Sequence, residues 1–183
     1  MRRGALRRYD CLMATTAVTI QEYLSTTYEP DCDYVDGEIQ ERNLGTFDHS
    51  RLQLAIGAYF YNRRKEWGIS VVTEQRVQIS PSRFRIPDVC VILGRPADQI
   101  VRQPPFICIE ILSPDDRISR TNERMADYFR FGVPYVWLLD PQTRKAWRCT
   151  PGATIEVLEL RTENPTMVVP LEDIFTDSES VTP

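Results

Sequence analysis

Two acidic residues stand inside otherwise apolar runs. Asp88 lies in FRIPDVCVIL, residues 84 to 93, and Glu110 lies in PPFICIEILS, residues 104 to 113. An ionised carboxylate between the halves of a buried strand is costly unless something pairs with it. Asp88 by itself reads as readily as a salt-bridge partner or a strand-edge feature. Two such acids in successive apolar runs suggest more, because neighbouring strands would set them side by side. Like charges that close in a low dielectric raise one pKa unless a cation neutralises them. A hard divalent ion such as Mg²⁺ is the simple solution, taking carboxylate, carbonyl and water oxygens. Such an ion lowers the pKa of a bound water and stabilises charge building on a phosphate.

The elements that must hold these acids can be traced along the chain. TIQEYLSTTY, residues 19 to 28, opens a short helix with Thr19 and Glu22 as a capping box. DYVDGEIQERN reads as a hairpin turning at Asp36-Gly37. Residues 48 to 67 form a helix, with Leu52, Ala55, Ile56, Tyr59 and Phe60 at helical spacing, Asp48 as N-cap and Gly68 as stop. VVTEQRVQIS, FRIPDVCVIL and PPFICIEILS read as three strands, the last two apolar on both faces. A second helix is expected over 115 to 131, then a buried strand in VPYVWLLDP, with KAWRCT and ATIEVLEL finishing the sheet. Residues from 162 onward read as polar apart from Met167 to Val169. The fold class that follows is α/β, a mixed β-sheet with helices on its faces.

Bulk properties narrow the function classes. The 183 residues fit one domain, and 42% hydrophobic with 26% charged residues is ordinary for a globular chain. Cys11, Cys32, Cys90, Cys108 and Cys149 form no CxxC, and His49 is the only histidine, which nearly excludes a zinc finger. Dispersed cysteines, odd in number, suit a reducing cytoplasm. No run reaches the roughly 18 apolar residues of a membrane span, so no membrane partner is expected. MRRGALRRYD lacks the apolar core of a secretory signal, and MATTAVTIQEYL from Met13 looks like a more natural start. Residues 1–18 are expected to be a disordered leader, 19–175 a single domain and 176–183 a polar tail. The net charge of −4 gives no global field for nucleic acid, yet lysine occurs only at Lys65 and Lys145, and every other side-chain cation apart from a protonated His49 is arginine.

Several stretches together resemble a known family. DYVDGEI (33 to 39), DHSRLQ (48 to 53), RIPDVCVI (85 to 92), IEILSPDD (109 to 116) and GVPYVWLLDP (132 to 141) are similar to the Uma2 family of restriction-type endonucleases, within the PD-(D/E)XK nuclease superfamily. The resemblance runs over about residues 19 to 160. It implies a restriction-endonuclease-like core with an added N-terminal helix and hairpin. It implies Mg²⁺ or Mn²⁺ held by Asp88, Glu110 and the carbonyl of Ile111, with Glu38 as an outer acid. His49 matches a recurrent family histidine, and its place at a helix start predicts a lowered pKa and a neutral ring. The superfamily lysine two residues after the Glu is Leu112 here, and the alternative lysine four residues before a Tyr is Arg124 before Tyr128. Arginine cannot serve as a general base, but it can clamp a phosphate.

Arg117, Arg120 and Arg124 form one stripe at i, i+3, i+7, either a solvated helix face or a surface for backbone phosphates. Arg63, Arg64 and Lys65, with Arg83 and Arg85, could extend a local DNA track, and Glu74 and Gln75 could face the same site. Trp137 and Asp140 read as structural. The leading expectation is a metal-dependent DNA endonuclease of restriction type, with a homodimer left open because two strands need two cuts. The rivals are a binding module that kept the nuclease fold but lost activity, and an interaction protein in which the acids are incidental.

Overall fold

The run ICIEI, Ile107–Ile111, is buried at every position, as a strand covered on both faces must be. Its side chains alternate between two cores. Ile107, Ile109 and Ile111 join one apolar cluster, while Cys108 joins another on the opposite face. The main sheet and the two long helices are arranged around this alternation.

The structure is a computed structural model that describes residues 17–43 and 45–175. Its elements in chain order are α1 (Ile20–Ser25), β1 (Cys32–Val35), β2 (Glu38–Glu41), α2 (Phe47–Trp67), β3 (Ile69–Thr73), β4 (Val77–Ser80), β5 (Arg83–Arg85), β6 (Val89–Leu93), β7 (Ile107–Ile111), α3 (Ile118–Phe131), β8 (Tyr135–Asp140), β9 (Lys145–Thr150), β10 (Ala153–Val157), β11 (Glu159–Thr162), β12 (Met167–Pro170) and α4 (Leu171–Ile174). Six strands form the main sheet in the order β10-β9-β8-β7-β6-β3. The β7–β8 pair is parallel, bridged by α3, and the other pairs are antiparallel. Helix α2 covers one face through Leu52, Ile56 and Phe60, beside Trp137 and Leu139. Helix α3 covers the other through Met125 and Tyr128, beside Val136 and Cys149. The mixed α/β class is therefore as the sequence implied.

Local chemistry explains the ends of these elements. Thr19 caps α1 by accepting from the Glu22 N–H at 3.2 Å. Helix α2 begins one residue earlier than expected, because Thr46 rather than Asp48 is its N-cap and accepts from the His49 N–H at 3.3 Å. It stops at Gly68, whose φ of 64° is the left-handed conformation a glycine adopts without strain. The β1–β2 hairpin turns through Asp36 and Gly37 with φ of 50° and 98°, as a tight two-residue turn requires.

Two of the expected strands are each divided between sheets. VVTEQRVQIS breaks at Glu74, whose φ is 51°, leaving β3 in the main sheet and β4 in a second sheet of order β2-β1-β5-β4. FRIPDVCVIL breaks at Ile86-Pro87-Asp88, where β5 of the second sheet ends before β6 of the main one. Pro87 has no N–H to give a ladder and holds Ile86 extended, so the chain crosses from sheet to sheet there. Asp88 is thus not a mid-strand residue but sits at the crossing.

The carboxyl end also differs from expectation. ATIEVLEL splits into β10 and β11, and the patch at Met167 to Val169 is strand β12, paired with β11 and buried in the α2-side core. Of the expected leader, residues 1–16 lie outside the described residues, but the Val18 N–H donates to the Gly37 carbonyl at 2.8 Å. Residues 176–183 also lie outside them. No helix among the described residues is long and apolar enough to cross a membrane.

Candidate active site

The β6–β7 register pairs Val89 with Ile109. Asp88 directly precedes Val89 and Glu110 directly follows Ile109, so the two acids stand at the same end of this strand pair. Both are buried, at 3% and 1% exposure. Glu110 shares the α3 face with Cys108, two positions earlier in β7, and so comes under Tyr128.

Asp88 is richly partnered. Its Oδ2 accepts from the Ile111 N–H at 2.7 Å, and His49 Nε2 lies 3.4 Å from the same oxygen. Its Oδ1 accepts from Arg42 Nη2, and its backbone carbonyl accepts from Gln53 Nε2 at 3.0 Å. Burial works to raise its pKa, but His49 and Arg42 outweigh it and hold the carboxyl below the usual range. Glu110 is poorer in donors. Tyr128 Oη donates to its Oε1 at 2.5 Å. Arg124 Nε stands 3.4 Å from Oε2 without hydrogen-bond alignment, so both atoms are buried and unbonded. Burial, opposed by Arg124 and reinforced by the Asp88 charge, pushes Glu110 up to about 7.

The two arginines link the acids to an open cleft. Arg42 and Arg124 have side chains 11% and 12% exposed. Both line a cavity of about 200 Å³ with Arg117 and Arg120, facing Glu41, Asp115 and Asp116. Four arginines against three acids leave this lining positive in a chain of net charge −4. Asp116 braces the rim: it accepts from Asn43 Nδ2 at 2.9 Å and the Ser113 N–H at 2.7 Å, and lies 3.6 Å from Arg124 Nη2.

The structure brings together Asp88, Glu110, Ile111, His49 and Arg124 of the residues singled out from the sequence. Ile111 enters through its N–H, donated to Asp88. His49 differs from expectation. Burial lowers its pKa, but the bond to Asp88 outweighs burial, and the net shift is upward, toward the charged ring. Glu38 is exposed at the turn end of β2, four residues or about 13 Å of extended strand from Arg42. The residue that reaches the acids from this hairpin is Arg42, which sequence reasoning passed over. The available signal was period-two alternation, which sets Glu38, Gln40 and Arg42 on one face.

Arg83 and Arg85 are engaged in ion pairs within the chain. Arg85 is 1% exposed and donates to Asp127 at 2.7 Å, Asp33 at 3.0 Å and Gln40 at 3.1 Å. Arg83 donates to Asp36 at 2.8 Å and Asp127 at 3.1 Å. These pairs tie the hairpin sheet to α3 and spend the charge internally. Gln75 donates to the Gln99 carbonyl at 2.8 Å, and the Glu74 N–H to that of Asp88 at 3.3 Å. Arg63 stacks on Tyr59 and Arg64 on Tyr61, at 3.7 and 3.8 Å from the ring centres. As expected, Trp137 is a core residue, and Asp140 accepts from the Gln142 N–H at 2.8 Å within a turn.

Asp88 and Glu110 suit Mg²⁺ or Mn²⁺ in donor chemistry. Such ions take one or two carboxylates and complete their shell with waters and substrate phosphates rather than a full protein cage. No three His, Cys, Asp or Glu side chains cluster as a cage among the described residues. The unbonded Glu110 Oε2 is an oxygen with capacity to spare.

A family model described as "Uma2: Putative restriction endonuclease" matches residues 20–181. A solved structure from Anabaena variabilis ATCC 29413, described as a "putative nuclease belonging to DUF820", superposes with a TM-score of 0.71 at 20% identity, covering 86% of this chain and 97% of that one. No curated protein matches the chain.

Proposed function

The chain belongs to the Uma2 family, and from that premise we propose that it is a metal-dependent endonuclease hydrolysing phosphodiester bonds of DNA. The observation that carries this reading is the pair of buried acids, Asp88 and Glu110, at one end of the β6–β7 pair behind an arginine-lined cleft. Asp88 and Glu110 would hold Mg²⁺ or Mn²⁺, with the Ile111 carbonyl as a further oxygen. The bound ion supplies an activated water and charge stabilisation.

The chain's own residues do the rest. Arg117 and Arg120 receive the phosphate backbone at the cleft mouth. Arg42 and Arg124 neutralise the acids in the free protein, and each has a guanidinium edge toward the cleft to offer an incoming phosphate. Their permanent charge suits them to stabilise a developing oxyanion, not to remove a proton. His49 and Asp88 act as a unit: the carboxylate orients the ring through Nε2, and proton transfer falls to the ring. Glu38, exposed at the turn end of β2, is given no part in this step. Among the described residues, Cys32, Cys90, Cys108 and Cys149 are buried thiols outside any disulfide, which suits work in the cytoplasm.

The second reading, a nucleic-acid-binding module without turnover, is favoured by one observation: both acids are already paired with arginine and no lysine stands beside them. Plasmid nicking with Mg²⁺ or Mn²⁺ tests both. The expected result is metal-dependent cleavage by the wild type and its loss in Asp88→Ala and Glu110→Ala. Cleavage that survives both changes rules out the acid pair as the centre. DNA binding without cleavage selects the second reading.

A further inference from the structure

Helix α2 is apolar on two opposite faces. Leu52, Ile56 and Phe60 are buried against the sheet. Diametrically opposite, at seven-residue intervals, Phe47, Leu54 and Tyr61 are 81%, 72% and 52% exposed. A surface helix ordinarily turns a polar face outward, and aligned exposed apolar side chains mark a contact surface. Gly57 borders this stripe in the middle of a 21-residue helix, where glycine costs roughly 1 kcal/mol relative to alanine. Nothing inside the chain asks for it: an added Cβ would meet only Thr73 Cγ2, at an ordinary 3.9 Å.

We propose that this stripe is the seam of a homodimer in which α2 packs antiparallel against α2 of a second copy, about a two-fold axis near Ile56. The stripe is self-complementary in that register and no other partner is needed to explain it. Leu54 of one copy falls beside Ala58 and Gly57 of the other, so a large side chain meets small ones. Tyr61 falls beside Ser50. Phe47 falls under the aliphatic stem of Lys65, whose ammonium reaches Asp48. The last match uses opposite charges from the two helix ends, acidic in the first turn and basic in the last. Each contact occurs twice, as an isologous interface requires. An apolar stripe of this kind offers nothing to a phosphate backbone, which separates it from the cleft. In this arrangement the two His49 residues lie roughly 20 Å apart along the seam, at 1.5 Å per residue.

Sedimentation equilibrium at micromolar concentration tests the seam. The wild type is expected to sediment as a dimer, and Leu54→Glu/Ala58→Glu as a monomer with an unchanged far-UV spectrum. A cross-linking arm does not depend on that variant folding. Leu54→Cys copies mixed with Ala58→Cys copies should form a disulfide-linked dimer on mild oxidation, at least tenfold above either variant alone or the unmodified protein. A monomeric wild type overturns the proposal, whether residues 1–16 or another protein then cover the stripe. A dimer that survives the double glutamate change, with no Leu54–Ala58 cross-link, overturns it as well.

Discussion

Asp88 and Glu110 lie one residue beyond the Val89–Ile109 pair, at the same end of the β6–β7 ladder, yet the protein shifts their protonation in opposite directions. Asp88 has an N–H, an imidazole and a guanidinium aimed at it. Glu110 has one phenol and an unaligned guanidinium. The pair is therefore one charged and one readily protonated carboxyl, an asymmetry set by donors rather than by burial, which is nearly equal for both.

This asymmetry has a pH signature. Glu110 has a folded pKa of about 7 against an ordinary 4.5. The folded state keeps a proton that the unfolded chain releases between those values, so stability falls as pH rises from about 4.5 to 7. Urea unfolding across that window should show a Glu110 share on the order of 3 kcal/mol, absent in Glu110→Gln. Asp88 has the opposite sign: its share is present above its ordinary pKa and is lost as pH falls through the lowered one, and Asp88→Asn removes that acid limb. A Glu110→Gln curve with the same slope as the wild type would contradict the assignment.

Arg42 holds the buried charge of Asp88. Arg42→Ala leaves that carboxylate without its nearest cation and should cost about 3–5 kcal/mol. Adding Asp88→Asn should restore more than half of the loss, and a double-mutant cycle by thermal unfolding reads the coupling. Additive losses would mean the two side chains stand independently.

Arg85 is a buried hub. Arg85→Ala should destabilise by about 3–5 kcal/mol, since it strands Asp33 and Asp127. Arg85→Lys should recover less than half, because an ammonium cannot fork to three acceptors on different elements. Urea midpoints of the three proteins check this, and a near-neutral Arg85→Lys would show that charge alone suffices.

Arg117 and Arg120 are exposed and bear little on the fold. Arg117→Ala/Arg120→Ala should leave stability within about 0.5 kcal/mol. If both touch phosphate, DNA affinity drops and the slope of log affinity against log salt becomes shallower by up to about 1.8. Fluorescence anisotropy at several salt concentrations measures it. An unaltered slope would place the backbone elsewhere.

Much of this was legible from residue order alone. The capping box at Thr19, the Asp36-Gly37 turn, the long helix stopped by Gly68 and the all-apolar run around Glu110 each depend on neighbours a few residues away. The same holds for the stripe of Arg117, Arg120 and Arg124, since helical spacing alone puts them on one side. The family motifs, too, are short stretches whose spacing survives in the linear chain.

What the linear order left undecided was where long-range partners meet. FRIPDVCVIL reads as one strand because its hydropathy is continuous, and only the sheet assembly shows β5 and β6 parting at Pro87. Arg42, Arg85 and Arg124 look alike as residue types. Tertiary structure makes one the counterion of Asp88, one a buried tie to Asp33 and Asp127, and one the partner of Glu110 at the cleft. The cause is electrostatic and geometric: a charge acts over a few ångströms of space, and the partners here are separated by 46, 42 and 14 positions in the chain. The sequence by itself determined that two acids would need cations. The fold decided which arginines supply them.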